Sequence, residues 1–167
     1  MRPSVLIADD QRLYAEALSH VLCTAYRVLG IAADGKELAK MAMSYRPDII
    51  VTDISMPVLN GLDAIRDLKK LGLQSKFIIL TMYADMSLAV LAFRVGASAF
   101  ILKTADSAEF LEALSTVERG VCYLSPQISG SLQTVLEEAA RRPPVDRGSL
   151  LSKHQLQIIR LAKRFEE

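Results

Sequence analysis

The chain has 167 residues, 51% of them hydrophobic and 23% charged, with a formal net charge of +1. Half apolar, and with only 8 glycines and 6 prolines, it is neither disordered nor fibrous, and no apolar run approaches the ~20 residues of a membrane span. The first apolar run meets Asp9-Asp10 after Val5-Leu6-Ile7-Ala8, too short for the core of a signal peptide, so the expected location is the cytoplasm.

Short apolar runs then alternate with helical patterns. The run at 4–8 precedes Tyr14, Ala17, Leu18, Val21 and Leu22, spaced i, i+3, i+4, i+7, i+8 as on one helix face. The run at 28–32 precedes Leu38, Met41, Ala42 and Tyr45 at helical spacing. The run at 48–52 precedes Leu62, Ile65 and Leu68, with Asn60 placed to cap that helix. The run at 77–81 precedes a helix that is apolar on more than one side, carrying Met86, Leu88, Val90, Leu91, Phe93 and Val95. The run at 99–102 precedes Phe110, Leu114, Val117 and Val121, with Asp106 and Glu109 as a capping box.

Five short, continuously apolar strands alternating with five helices predict an α/β fold. The expected form is a (βα)5 doubly wound, parallel five-stranded sheet with both faces covered. A sixth helix is expected from Ser125-Pro126, with Ile128, Leu132, Val135, Leu136 and Ala139 on one face. Two-proline, arginine-rich sequence from Arg141 to Ser149 reads as a linker. A last helix is expected after it, with Ser152 and Gln155 as capping box and Leu151 and Leu156 as staple. The expected divisions are 1–123, a linker helix over 124–140, a linker over 141–150 and a helical segment over 151–167. Residues 1–140 hold 13 basic and 16 acidic side chains, residues 141–167 hold 7 and 3. An acidic body with a basic tail fits a regulatory domain joined to a nucleic-acid-binding one, or simply a solvated tail. Cys23 and Cys122 carry no metal-ligand spacing and read as reduced, packed thiols.

In a doubly wound sheet, ligands bind at the carboxyl ends of the strands. Asp9 and Asp10 follow the first strand, Asp53 the third, Thr81 ends the fourth and Lys103 follows the fifth. Each has an ordinary reading alone: cap, strand former, solvated cation. Together they crowd three carboxylates at one edge, tolerable when a hard divalent cation such as Mg2+ neutralises them. A lysine ammonium and a threonine hydroxyl suit phosphate oxygens. The set reads as a phosphoryl-transfer site with Asp53 as the carboxylate nucleophile.

The segments Ile7-Ala8-Asp9-Asp10, Asp48 to Gly61 with its Asp53 and Met56-Pro57, Leu80-Thr81-Met82-Tyr83 and Phe100-Ile101-Leu102-Lys103 resemble the receiver domain of two-component response regulators, over about residues 1–123. The resemblance implies a flavodoxin-like receiver in which Asp53 takes a phosphoryl group from a sensor histidine kinase. It implies Mg2+ held by Asp10, Asp53 and the Ser55 carbonyl, with Asp9 acting through water. It implies that Lys103 holds the phosphate, that Thr81 swings onto it, and that Phe100 turns inward behind Thr81. On this reading the chain catalyses only its own phosphorylation and dephosphorylation and is otherwise not an enzyme. Ser55 stands where an aspartate-based phosphatase of the haloacid dehalogenase type has a second Asp. Met86, Val90 and Phe93 lie on the spare side of the fourth helix, which is either a switchable interaction face or scattered surface hydrophobes.

The residues Leu80 to Asp85 and Val121 to Pro126 resemble the NarL/FixJ branch, and Leu151 to Leu161 resembles the first helix of its LuxR-type helix-turn-helix, with Gln155 and Gln157 where an acidic residue is usual. That branch implies a homodimer on phosphorylation, DNA as the partner of the full-length regulator, and no membrane. No recognition helix follows within the sequence, so the expectation is a fragment of a transcription regulator rather than a DNA reader in itself. The alternative is a receiver that acts as a protein-interaction or shuttle module without DNA.

Overall fold

The computed structural model describes residues 1–128, 130–141 and 151. The five expected strands form β1 (Ser4–Ala8), β2 (Arg27–Ala32), β3 (Ile49–Thr52), β4 (Lys76–Thr81) and β5 (Ala99–Leu102). Between them lie α1 (Arg12–Leu22), α2 (Gly35–Tyr45), α3 (Gly61–Lys70) and α4 (Met86–Val95), and α5 (Ser107–Glu118) follows β5. All pairings are parallel, and the strand order is β2-β1-β3-β4-β5 with a sixth strand, β6 (Tyr123–Leu124), added beside β5. The sheet is therefore six-stranded rather than five-stranded. A two-residue strand is too short to leave a period in the sequence; it forms because Tyr123 and Leu124 pair with Ala99 and Phe100.

Alternation along each strand divides the core in two, as a two-residue side-chain period requires. Val5, Ile7, Ile49, Val51, Ile78, Leu80, Ala99 and Ile101 face α1 and α5. Leu6, Ala8, Ile50, Phe77, Ile79, Phe100 and Leu102 face α2, α3 and α4. Asp48 stands just outside β3, because its carboxylate accepts the Ser4 N–H and hydroxyl, both at 2.7 Å, and ties the starts of β1 and β3 together. The Asn60 cap forms at the Asp63 N–H. Only half of the α5 capping box forms. Asp106 accepts the Glu109 N–H, but the Glu109 carboxylate turns to Ser125.

That contact explains why the sixth helix starts later than expected. Ser125 is not its cap: its N–H donates to Phe100 O, and its hydroxyl takes the Leu102 N–H and donates to Glu109, each at 3.0 Å. The segment is stitched to β5, and α6 runs over Leu132–Arg141, with the Ser131 hydroxyl accepting the Thr134 N–H.

Helix α6 packs along α4. Val135 and Ala139 are buried in the same cluster as Val90 and Phe93. Gly130, at φ 117°, crosses so close that a Cβ there would come within 3.0 Å of the Met86 sulfur. Of the expected interaction face, Met86 is partly exposed, whereas Val90 and Phe93 are buried. The spare side of α4 is neither open nor scattered surface: this chain's own helix covers it. Burying a side chain such as Val135 is worth roughly 1.5–3 kcal/mol. Leu151 is buried in the same cluster. The remainder of the expected linker and the last helix, with Ser152 and Gln155, lie outside the described residues. Cys23 is exposed rather than packed, and Cys122 is partly covered; both are free thiols. Among the described residues, no helix is long and apolar enough to cross a membrane.

Candidate functional site

Strand order reverses between β1 and β3, because the chain leaves β1 first to one side and then to the other. Such a reversal opens a crevice at the carboxyl ends. Asp9 and Asp53 are held there by extensions of the strand ladders: the Asp9 N–H donates to Ala32 O and the Asp53 N–H to Ala8 O. Carboxylate oxygens of Asp9, Asp10 and Asp53 lie within 4.8 Å of one another. Gly61 makes room beside them, since a Cβ there would fall 2.0 Å from Asp53 O. Asp9 and Asp10 border a recess of about 270 Å³ that also touches Arg12, Glu16, Ala33 and Glu37. A larger recess lies at the opposite edge of the sheet, lined by Pro3, Asp48 and Lys76, far from this chemistry.

Lys103 follows β5, with its N–H on Thr81 O. Its ammonium is almost fully buried and stands 2.6 Å from Asp9 Oδ2 and 3.1 Å from Asp53 Oδ2. It also donates to Gln11 Oε1 at 3.0 Å and lies 4.7 Å from the centre of the Tyr14 ring. Burial alone would lower its pKa, but Asp53 and Asp9 outweigh burial and hold it above the usual lysine value. Burial pushes the Asp53 carboxyl up to about 6; Lys103 opposes that rise and Asp9 adds to it. The Ser55 N–H donates to Asp53 Oδ1 at 3.3 Å.

The expected residues thus divide. Asp9, Asp10, Asp53, Ser55 and Lys103 come together in one pocket. Thr81 ends β4 beside them, fully buried, with its hydroxyl accepting the Tyr83 N–H. Phe100, expected to turn inward, is already fully buried in the cluster that contains α4 and α6. Gln11 and Tyr14 were not expected at the site. Tyr14 reads in sequence as one more apolar residue of the α1 stripe, and nothing in the sequence shows that β5 ends against it. Their one trace is position, three residues apart in the turn that follows Asp9-Asp10.

The donor set suits a hard divalent cation: three carboxylates face one ammonium, leaving a net negative cluster of oxygen ligands.

Comparison with known proteins places most of the chain in one family. Residues 5–115 match the family model described as the response regulator receiver domain. The transcriptional regulatory protein DegU of Brevibacillus brevis is 31% identical over 130 residues, covering 77% of this chain and 55% of that protein. The oxygen regulatory protein NreC of Staphylococcus carnosus is 32% identical over 166 residues, covering 94% of this chain and 75% of its own length. The chain thus spans little more than half of the first relative. A two-component response regulator of the LuxR family from Aurantimonas sp. SI85-9A1 superposes with a TM-score of 0.74 at 26% identity, over 85% of this chain and all of that one.

Proposed function

The chain belongs to the response regulator receiver domain family, and from that premise we propose that Asp53 is the phosphoryl acceptor of a two-component pathway. The observation that carries this reading is the Lys103 ammonium bridging Asp9 and Asp53 inside a pocket of three carboxylates. The ammonium, together with a divalent cation that the carboxylates would hold, is suited to neutralising phosphoryl charge.

The donor is the phosphohistidine of a sensor kinase. An Asp53 carboxylate oxygen forms a bond to phosphorus as the P–N bond breaks. The electron pair returns to the imidazole nitrogen, which takes a proton from solvent. Water later attacks the phosphorus, the bond from phosphorus to the Asp53 oxygen breaks, and inorganic phosphate leaves with the Asp53 carboxylate restored. Asp9, Asp10, Asp53 and the Ser55 carbonyl are the groups that would hold Mg2+. When bound, the ion supplies charge neutralisation to the carboxylates and to the transferring oxygens. Lys103 moves from the Asp53 carboxylate to a phosphoryl oxygen, and Ser55 and Tyr83 flank the entry of the hydrolytic water.

Thr81 leaves the Tyr83 N–H for the phosphoryl group. Phe100 repacks behind it against α4 and α6, which converts charge at the site into a change in how α6 is seated. Beyond α6 we assign the chain to a LuxR-type DNA-binding output in a cytoplasmic regulator that pairs on phosphorylation. The likeness to DegU, a transcriptional regulatory protein, and to the LuxR-family response regulator of Aurantimonas sp. SI85-9A1 supports an output of that kind.

The test is phosphorylation by phosphoramidate with Mg2+, followed by borohydride reduction and peptide mapping. Conversion of residue 53 to homoserine is the expected result. Conversion at another aspartate, or at none, contradicts the assignment.

A further inference from the structure

A lysine ammonium has three N–H donors and no acceptor. At Lys103 all three have acceptors: Asp9 Oδ2, Asp53 Oδ2 and Gln11 Oε1. Two are carboxylates at the reacting centre. The third is a neutral amide, and the ammonium also lies against the Tyr14 ring. Gln11 and Tyr14 are three residues apart at the start of α1, so one helix face presents both.

The local structure of α1 points the same way. Gln11 occupies its N-cap position, where Ser, Thr, Asp or Asn would normally accept a backbone N–H. Gln11 makes no side-chain cap; its side-chain oxygen reaches across to Lys103 instead. Its backbone N–H meanwhile donates to Asp9 Oδ1 at 2.9 Å, so one residue braces both members of the Lys103–Asp9 pair.

We infer that Gln11 and Tyr14 are positioning residues that hold the Lys103 ammonium on target for the phosphoryl group. This rests on the reading of Asp53 as acceptor. When Asp53 carries phosphate, Lys103 must give up its bond to the carboxylate and take a phosphoryl oxygen. The amide and the ring hold it through that exchange. Both are neutral, so they add no negative charge to a pocket that must admit a phosphoryl anion. A carboxylate at position 11 would satisfy the same N–H but repel the donor. The ring attracts the cation through its face and keeps water from that side.

The test uses the full chain and four variants: Tyr14→Leu, Tyr14→Phe, Gln11→Ala and Gln11→Glu. Two readouts are taken for each. One is the NMR signature of the Lys103 ε-methylene and ammonium protons, shifted upfield by a ring face. The other is the rate of Asp53 phosphorylation by phosphoramidate with Mg2+. Tyr14→Leu abolishes the upfield shift and slows phosphorylation by about three- to tenfold, and Tyr14→Phe restores both. Gln11→Ala slows the reaction by about as much, and Gln11→Glu slows it further while leaving the Tyr14 ring shift in place. A Tyr14→Leu variant that keeps the shift, or one that phosphorylates at the parent rate, overturns the inference. So does a Gln11→Glu variant faster than Gln11→Ala. If the parent itself takes no phosphate, the acceptor reading fails instead, and the Lys103 shift still decides whether the cradle exists.

Discussion

Lys103 stands closer to Asp9 than to Asp53, at 2.6 Å against 3.1 Å. The resting cation leans toward β1, and the acceptor carboxylate has the looser hold. On the proposed reading, Asp53 would give up its weaker contact on accepting a phosphoryl group, while the stronger one would keep Lys103 in the pocket.

Removing the cation strands the carboxylates. Lys103→Met is expected to lower metal-free stability by about 3 kcal/mol, because breaking a buried ion pair leaves its partners uncompensated. Mg2+ recovers part of that loss by binding the folded state. Urea denaturation with and without Mg2+ measures both terms. An unchanged midpoint in metal-free buffer would show that the pair carries no stability.

Asp53 links stability to pH. Its folded pKa of about 6 lies above the usual carboxylate value, with burial as the main cause. Between about 4 and about 6 the folded state therefore binds more protons than the unfolded one, and this group's contribution falls as pH rises through that window. Above it the cost is fully present, on the order of 2–3 kcal/mol. Asp53→Asn should then be more stable than the parent at neutral pH without metal, with the gap closing as pH falls. A gap that stays constant from neutral to acid would refute this linkage.

Val58 sits at φ 69° on the loop from Asp53 to α3, with the Leu59 N–H bonded to Pro57 O at 2.8 Å. A β-branched residue at positive φ is strained, and Val58 is largely exposed, so it gains little from packing. Val58→Gly is expected to raise stability by roughly 0.5–1 kcal/mol, the relief of strain exceeding the entropy that glycine adds to the unfolded chain. Thermal denaturation decides it, and a lower melting temperature would mean that Val58 is not strained.

The contact between α4 and α6 should open without unfolding the sheet. Val135→Glu puts a charge into the cluster shared by Val90 and Phe93. Hydrogen exchange is expected to lose protection in α6 and on α4 while the central strands keep theirs, as for a local opening. Uniform loss across the sheet would show that α6 is part of the global core.

Much of this was legible in the sequence because it depends on local pattern. The five long strands and their helices follow from apolar runs and helical spacing. The aspartates and Lys103 follow from their places just after those runs. What lay hidden depends on contacts between distant segments. Ser125 resembles a helix cap, yet it serves as a stitch to Phe100 and Leu102. Val90 and Phe93 resemble a free face because nothing local shows that α6 returns to cover them. Gln11 and Tyr14 join the site only because β5 ends beside the first turn of α1, a proximity set by sheet order.

The most direct test of the central claim is the intact mass of the chain after incubation with Mg2+ and a small-molecule phosphodonor, with Asp53→Asn treated alongside. The account predicts that the parent gains one phosphate and the variant none. Gain by both, or by neither, would contradict the assignment of Asp53 as the acceptor.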